Sequence, residues 1–290
     1  MRTNGSGIAR RRIAAIAILI VTCAALTLLA GCASTRSGAA NTTIRVMTWN
    51  IHHGEGTDGV IDVDRIAKLI VKEKIDVVAL QELDRGIPRS KKIDIITTLA
   101  DKTDLTYAFG KTIDYQGGEY GNGFLTRFPI LEERNIMFTE TFGREQRGVL
   151  LLILDNRGQE FVVANTHLDS RNDDSARVTA VHELKQILAR YSSRPVLLCG
   201  DMNDHPSSGT VAELAGTVSD TWAAVGKGNG FTYPSKTPEK RIDYVFSLSN
   251  KTTDSLSTPL QLRPVRARVI ESPASDHLPL IVEFTLTSEH

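Results

Sequence analysis

Val196-Leu197-Leu198-Cys199-Gly200-Asp201-Met202-Asn203 carries the plan of this chain in eight residues. Its first four side chains are apolar without alternation, as in a strand covered on both faces. The run then breaks into a glycine, an acid and an amide. The same pattern recurs along the chain. Asn50 follows Val46-Met47-Thr48-Trp49, and Glu82 follows Val77-Val78-Ala79-Leu80-Gln81. His167 follows Val162-Val163-Ala164-Asn165-Thr166. Asp243 lies in Arg241-Ile242-Asp243-Tyr244-Val245-Phe246, and Asp276-His277 precedes a strand signal at Leu278–Leu286. Strands ending in acids, amides and histidines gather those groups along one sheet edge, where α/β proteins build their sites.

Between the strand signals lie helical ones. Ile66, Leu69 and Ile70 recur at helical spacing after Asp62 and Asp64, either of which can cap. Further helices are expected near Lys92–Asp101 and over Asp174–Tyr191. Additional strands are expected at Thr43–Asn50, Phe124–Thr126, Val149–Leu154, Phe161–Asn165 and Leu262–Ile270. Strands interspersed with helices, with no repeat and no low-complexity segment, predict a layered α/β fold. Cys199 reads as a small buried apolar residue.

The polar groups form a chemically coherent set. Carboxylate and amide oxygens, with few thiolates, suit a hard cation such as Mg²⁺ or Mn²⁺. Histidines on separate segments suit proton transfer near neutral pH. A cation with positioned proton donors is what phosphoester hydrolysis needs, because charge is neutralised while water attacks in line.

Six segments stand in one order: Thr48-Trp49-Asn50-Ile51, Gln81-Glu82, Asn165-Thr166-His167-Leu168, Gly200-Asp201-Met202-Asn203, Arg241-Ile242-Asp243-Tyr244 and Ser275-Asp276-His277. Together with Gly121-Asn122-Gly123-Phe124-Leu125-Thr126-Arg127-Phe128-Pro129-Ile130, this set resembles the endonuclease/exonuclease/phosphatase superfamily from about Thr43 to the C-terminus. The resemblance implies a four-layer α/β/β/α sandwich of two packed mixed β-sheets. It also implies that Glu82 is the principal ligand of Mg²⁺ or Mn²⁺, helped by Asn50 and Asp276. Asp201 would orient or deprotonate the attacking water, and Asn203 would hold the phosphate. His277, oriented by Asp243, would act as base or transition-state stabiliser, and His167 would protonate the leaving oxygen. Asn122 and Arg147 are further candidates for substrate binding. Arg85, Arg89, Arg127 and Arg177 also carry guanidinium groups that suit phosphate. His52 and His53 follow Asn50 within reach of the metal but are read as loop histidines, His182 as a surface or packing residue and His205 as loop structure. Tyr120 and Trp222 are pocket-lining or packing residues.

The first 31 residues read differently. Arg2, Arg10, Arg11 and Arg12 precede an apolar run from Ile13 to Ala30, the pattern of a secretory signal. Leu29-Ala30-Gly31-Cys32 resembles the bacterial lipobox, with lipid expected on Cys32; a signal-anchor helix is the alternative. Residues 32–42 are small and polar, as a tether would be, leaving 43–290 as the catalytic domain. Export to the cell envelope is expected, with the membrane held through Cys32. Ala33 in place of Asp fits an outer-membrane destination in a two-membrane cell. Cys199 alone follows Cys32, so no disulfide closes within the domain.

The chain carries 34 Lys and Arg against 34 Asp and Glu; without the four signal arginines, 30 remain against 34. That balance is not a basic nucleic-acid-binding surface, so nucleic acid enters only as a substrate, beside phospholipid, sphingolipid and inositol-type phosphates. A monomer acting on a phosphoester, more specifically a phosphodiester, is expected. The competing class is a non-catalytic envelope module that keeps the fold for binding.

Overall fold

A computed structural model describes residues 42–248 and 260–288. The expected signal segment, Cys32 and all of the tether but Thr42 lie outside these residues. The strands are β1 (Thr42–Asn50), β2 (Val77–Arg85), β3 (Thr106–Tyr115), β4 (Gly118–Thr126), β5 (Ile130–Met137), β6 (Gly148–Asn156), β7 (Gln159–His167), β8 (Val196–Asp201), β9 (Ser219–Asp220), β10 (Asp243–Leu248), β11 (Leu260–Val269) and β12 (Leu280–Ser288). The helices are α1 (Val63–Glu73), α2 (Ile95–Thr103), α3 (Ser175–Ala189), α4 (Gly209–Leu214) and α5 (Thr221–Val225).

Two six-stranded sheets form, in the orders β11-β12-β1-β2-β4-β3 and β5-β6-β7-β8-β10-β9. Each is mixed: β1 runs parallel to β2 and β7 parallel to β8, and the remaining pairs are antiparallel. Three apolar layers hold the sandwich. Ile44, Val46, Phe124, Leu152, Phe161, Leu197 and Phe284 fill the space between the sheets. Met47, Trp49 and Leu80 face α1 and α2 through Ile66, Ile70 and Leu99. Val162, Leu198 and Phe246 face α3 through Val181, Leu184 and Leu188. The strand period of two thus decides the layer of each residue, with Val46 inward and Met47 outward. Each such fully buried aliphatic or aromatic side chain contributes about 1.5–3 kcal/mol relative to exposure. The result is the expected α/β/β/α order.

Local chemistry fixes the helices. Asp62, not Asp64, caps α1 by accepting from the backbone N–H groups of Asp64 and Arg65. Asp94 caps α2 through Thr97. Such a cap is worth about 1 kcal/mol. Val63, Ile66, Ala67 and Ile70 then form the buried stripe of α1.

β3 and β5 were not anticipated from the sequence. Both close the edges of their sheets, and both are largely exposed. Lys111, Asp114, Glu133 and Arg134 stand among their exposed positions, which helps blunt an edge against pairing, although Tyr107, Tyr115 and Leu131 are exposed there too.

Candidate active site

Strand direction assembles the site. Parallel β1 and β2 bring Asn50 beside Gln81 at one sheet's edge. Parallel β7 and β8 bring His167 beside Asp201 in the other. β10 runs antiparallel to β8, so its first residue, Asp243, pairs with Asp201. β12 runs antiparallel to β1, with Leu280 opposite Thr48, so the preceding Asp276 and His277 reach the same edge. Carboxyl ends of four strands and amino ends of two therefore meet.

Side-chain clips fix the turn before β12. Ser275 Oγ donates to the Asn50 carbonyl at 2.7 Å and accepts from His277 N at 3.2 Å. Trp49 Nε1 donates to the His277 carbonyl at 3.0 Å.

Glu82 owes its position to an interruption in β2. Register against β4 shifts between Leu80 and Leu83, and Glu82 takes a left-handed φ of 60°. For a residue with a Cβ that conformation costs roughly 1–2 kcal/mol. A buried polar bridge from the opposite sheet spans this irregularity. Asn165 Nδ2 donates to the carbonyls of Leu80 (2.8 Å) and Gly123 (2.9 Å), and Asn165 Oδ1 accepts from Gln81 Nε2 (2.7 Å).

Asp201 lies at the centre. Its Oδ1 accepts from Asn203 N (2.8 Å) and its Oδ2 from Asn50 Nδ2 (3.1 Å), while Asn50 Nδ2 also donates to Glu82 Oε1 (3.0 Å). The Nε2 atoms of His167 and His277 each lie 3.7 Å from Asp201 Oδ2. Those gaps are too long for hydrogen bonds. An oxygen from solvent or substrate can therefore engage both rings. Asn203, with φ 50°, anchors its Nδ2 on the Leu168 carbonyl at 3.0 Å.

The two histidines differ in protonation. Asp243 Oδ2 accepts from His277 Nδ1 at 2.9 Å. Burial opposes the His277 cation, but Asp243, Asp201 and Asp276 outweigh it and push its pKa up to about 10. Burial and the Asp243 charge raise the Asp201 carboxyl above the usual carboxylate range. Arg147 Nη1 lies 3.1 Å from His167 Nδ1, and a guanidinium can only donate, so Nδ1 accepts. Burial, with the Arg147 and His277 charges, holds His167 well below its ordinary pKa. His167 therefore offers a neutral Nε2–H, which hydrogen-bonds an oxygen but does not act as an imidazolium acid.

A cleft of about 760 Å³ opens over these groups. Asn50, Glu82, Arg147, His167, Asp201, Asn203, Asp276 and His277 all line it. Asp243 stands behind His277. Asn122 does not reach it: it is buried in the body of β4 opposite Gly110. Among the other arginines, Arg85 pairs with Asp94 and Glu119, Arg89 with Asp84, and Arg127 with Asp76. Arg177 reaches the cleft wall but is held by Asp204 and the Asp169 carbonyl. Trp222 packs between the sheets, whereas Tyr120 lines the cleft. His205 stands at the rim, and His182 pairs with Glu213 on the surface.

Sequence reading missed Tyr233 and Lys240. Tyr233 lies against the His277 ring at 4.7 Å, and a bridge between Tyr233 and Lys240 brings both to the cleft. Their nearness to Asp243 in the chain was the available signal.

Glu82 and Asp276 have no Lys or Arg partner among the described residues. Unneutralised carboxylates at a cleft fit a hard divalent cation. Asn50, as placed, turns its amide nitrogen to the carboxylates and its oxygen to His52 N, so supplying an oxygen ligand requires its amide to turn over.

The sequence matches the profile of the Endonuclease/Exonuclease/phosphatase family over residues 47–277. The "Uncharacterized protein YbhP" of Escherichia coli K12 is 28% identical over 194 residues, covering 65% of this chain and 72% of that one. A solved endonuclease/exonuclease/phosphatase from Beutenbergia cavernae is 26% identical, with a TM-score of 0.64 over 84% of this chain and 72% of that one. The fold is also that of a Bacteroides thetaiotaomicron mannosyl-6-phosphatase: 18% identity, TM-score 0.68, 83% of this chain and 99% of that one.

Proposed function

The chain belongs to the endonuclease/exonuclease/phosphatase family, whose members hydrolyse phosphoester bonds, and on that premise we propose that it is an exported, Mg²⁺- or Mn²⁺-dependent phosphodiesterase. One observation carries the reading: Asp201 Oδ2 faces two imidazole nitrogens at 3.7 Å each, beside the Glu82 and Asp276 carboxylates, which have no Lys or Arg partner among the described residues. Glu82 and Asp276, with Asn50 after its amide turns, would hold the cation, which when bound neutralises charge on the phosphoryl oxygens.

The chain's own groups do the rest. Asp201 orients the attacking water and takes its proton, helped by a carboxyl whose affinity for protons burial has raised. His277, held cationic by Asp243, hydrogen-bonds the phosphoryl oxygens as negative charge develops. His167 donates its Nε2–H to an oxygen of the ester while Arg147 fixes its tautomer. Asn203 is held by Leu168 with its remaining amide atoms toward the cleft. The cleft exceeds the size of one phosphate, which leaves room for the organic group or groups that the ester carries.

The N-terminal pattern supports export and lipid attachment at Cys32, which would keep the enzyme beside membrane substrates as a monomer in the envelope. The purified protein should cleave bis(p-nitrophenyl) phosphate faster than p-nitrophenyl phosphate, with Mg²⁺ or Mn²⁺. Folded protein that turns over neither would reject the enzymatic reading. Cys32→Ser should abolish signal-peptidase II processing; unchanged processing rejects the anchor.

A further inference from the structure

The residues after β1 hold a second set of metal-binding groups. His52, His53 and Glu82 each place a potential ligand atom within 4.8 Å of the others. All three adopt left-handed backbone, with φ of 45°, 43° and 60°. Neighbouring side chains of an extended strand diverge to opposite faces, so the successive left-handed pair is what turns both imidazoles together. Their ring centroids stand 4.4 Å apart at 65°. Strain of this kind persists where surrounding structure enforces it, and it collects at ligand sites. His53 supplies an independent sign. It is 7% exposed, its Nε2 lies 3.5 Å from Glu55, and its Nδ1 is buried with no hydrogen-bond partner. Buried polar atoms in folded proteins are normally satisfied, so an imidazole with one buried nitrogen unmatched and the other facing Glu55 is short of a partner that a cation would supply.

We propose that His52, His53 and Glu82 form a site for a first-row transition-metal dication, such as Zn²⁺ or Co²⁺, distinct from the oxygen-only site of Asn50, Glu82 and Asp276. Two imidazoles and one carboxylate suit these ions, whereas Mg²⁺ favours oxygen ligands alone. Glu82 belongs to both sets and would offer one oxygen to each. Arg89 opposes positive charge at His53, and the buried Asp84 that grips it through both oxygens offsets part of that opposition. Glu55 and Asp276 add negative charge on the open side, at 3.5 Å from His53 and 3.9 Å from His52.

The test reads binding, not turnover. The metal-stripped full chain is titrated with Co²⁺ under saturating Mg²⁺, by calorimetry and visible absorption. Wild type should bind Co²⁺ with the absorption of nitrogen ligation, His52→Ala and His53→Gln should weaken it at least about tenfold, and Asp276→Ala should leave it in place. Displacement by Mg²⁺, or unchanged affinity in both histidine variants, overturns the proposal. If His53→Gln does not fold by circular dichroism, the half-exposed His52→Ala decides alone. Because Co²⁺ retention is independent of hydrolysis, failure here leaves the phosphodiesterase reading standing, and an inactive protein that holds Co²⁺ rejects only that reading.

Discussion

Replacing Asn165 with leucine tests whether the bridge between the sheets supports the irregularity that sets Glu82. Leucine shares asparagine's branched outline but is bulkier, so it leaves no room for a substituting water. It withdraws the donors to the Leu80 and Gly123 carbonyls and the acceptor for Gln81 Nε2. Gln81 keeps Thr48 Oγ1 at 3.1 Å and the Ala79 carbonyl at 3.3 Å, so it is not stranded. Three buried hydrogen bonds at about 1 kcal/mol each give a loss of about 3 kcal/mol. The larger apolar surface of leucine offsets about 1 kcal/mol of this. A net loss near 2 kcal/mol should appear as a lower urea midpoint with an unchanged slope. Activity per folded molecule should fall as well, since Glu82 loses the support that holds its left-handed backbone. A loss below about 0.5 kcal/mol with full activity would refute the reasoning, because the bridge would then be incidental to both fold and site.

Asp201→Asn removes a buried charge without changing size, so the protein should stay folded while kcat falls about 10²–10⁴-fold; retained turnover would remove Asp201 from the mechanism. Chelator should abolish activity, and Mg²⁺ or Mn²⁺ should restore it, whereas activity that persists in chelator rejects the cation requirement. A Cβ on Gly200 would sit 2.0 Å from the Thr166 carbonyl oxygen, backbone against backbone, so Gly200→Ala should destabilise by about 3 kcal/mol or more in urea. His167 should remain neutral at pH 6.5 by NMR. Removing the Arg147 charge in Arg147→Ala should raise its midpoint toward the ordinary value, and a wild-type midpoint at or above 6.5 would contradict the environment described.

What the sequence reveals follows burial. β8 and β7 lie at sheet centres, where both faces must be apolar, and their runs ending in Asp201 and His167 announce strand and site together. β3 and β5 sit at edges, where Lys111, Asp114, Glu132 and Glu133 satisfy solvent and erase the hydrophobic signal. The site was legible where a motif residue sits at or beside a central strand, as with Asn50 ending β1, Glu82 at the interruption in β2 and Asp276 in the turn before β12. Tyr233 and Lys240 escaped because a loop places them, and loop paths carry no periodicity. Asn122 is the reverse case: its segment fits the family pattern, yet it is largely buried in β4 and is not among the residues lining the cleft. Histidine roles required geometry, since burial, then the Arg147 and His277 charges, make His167 neutral, while Asp243 and Asp201 make His277 cationic.

The clips between Asn50 and Ser275, and between Trp49 and His277, join positions separated by 225 and 228 residues. Such long loops close late, because the entropy of bringing distant segments together is spent before their contacts return it. A fragment that ends before Ser275 has neither His277 nor β12, the strand that pairs with β1. Assembly of the cleft therefore waits on the segment carrying Ser275, Asp276 and His277, and a copy cut before it lacks both those groups and the strand that completes the core beside β1.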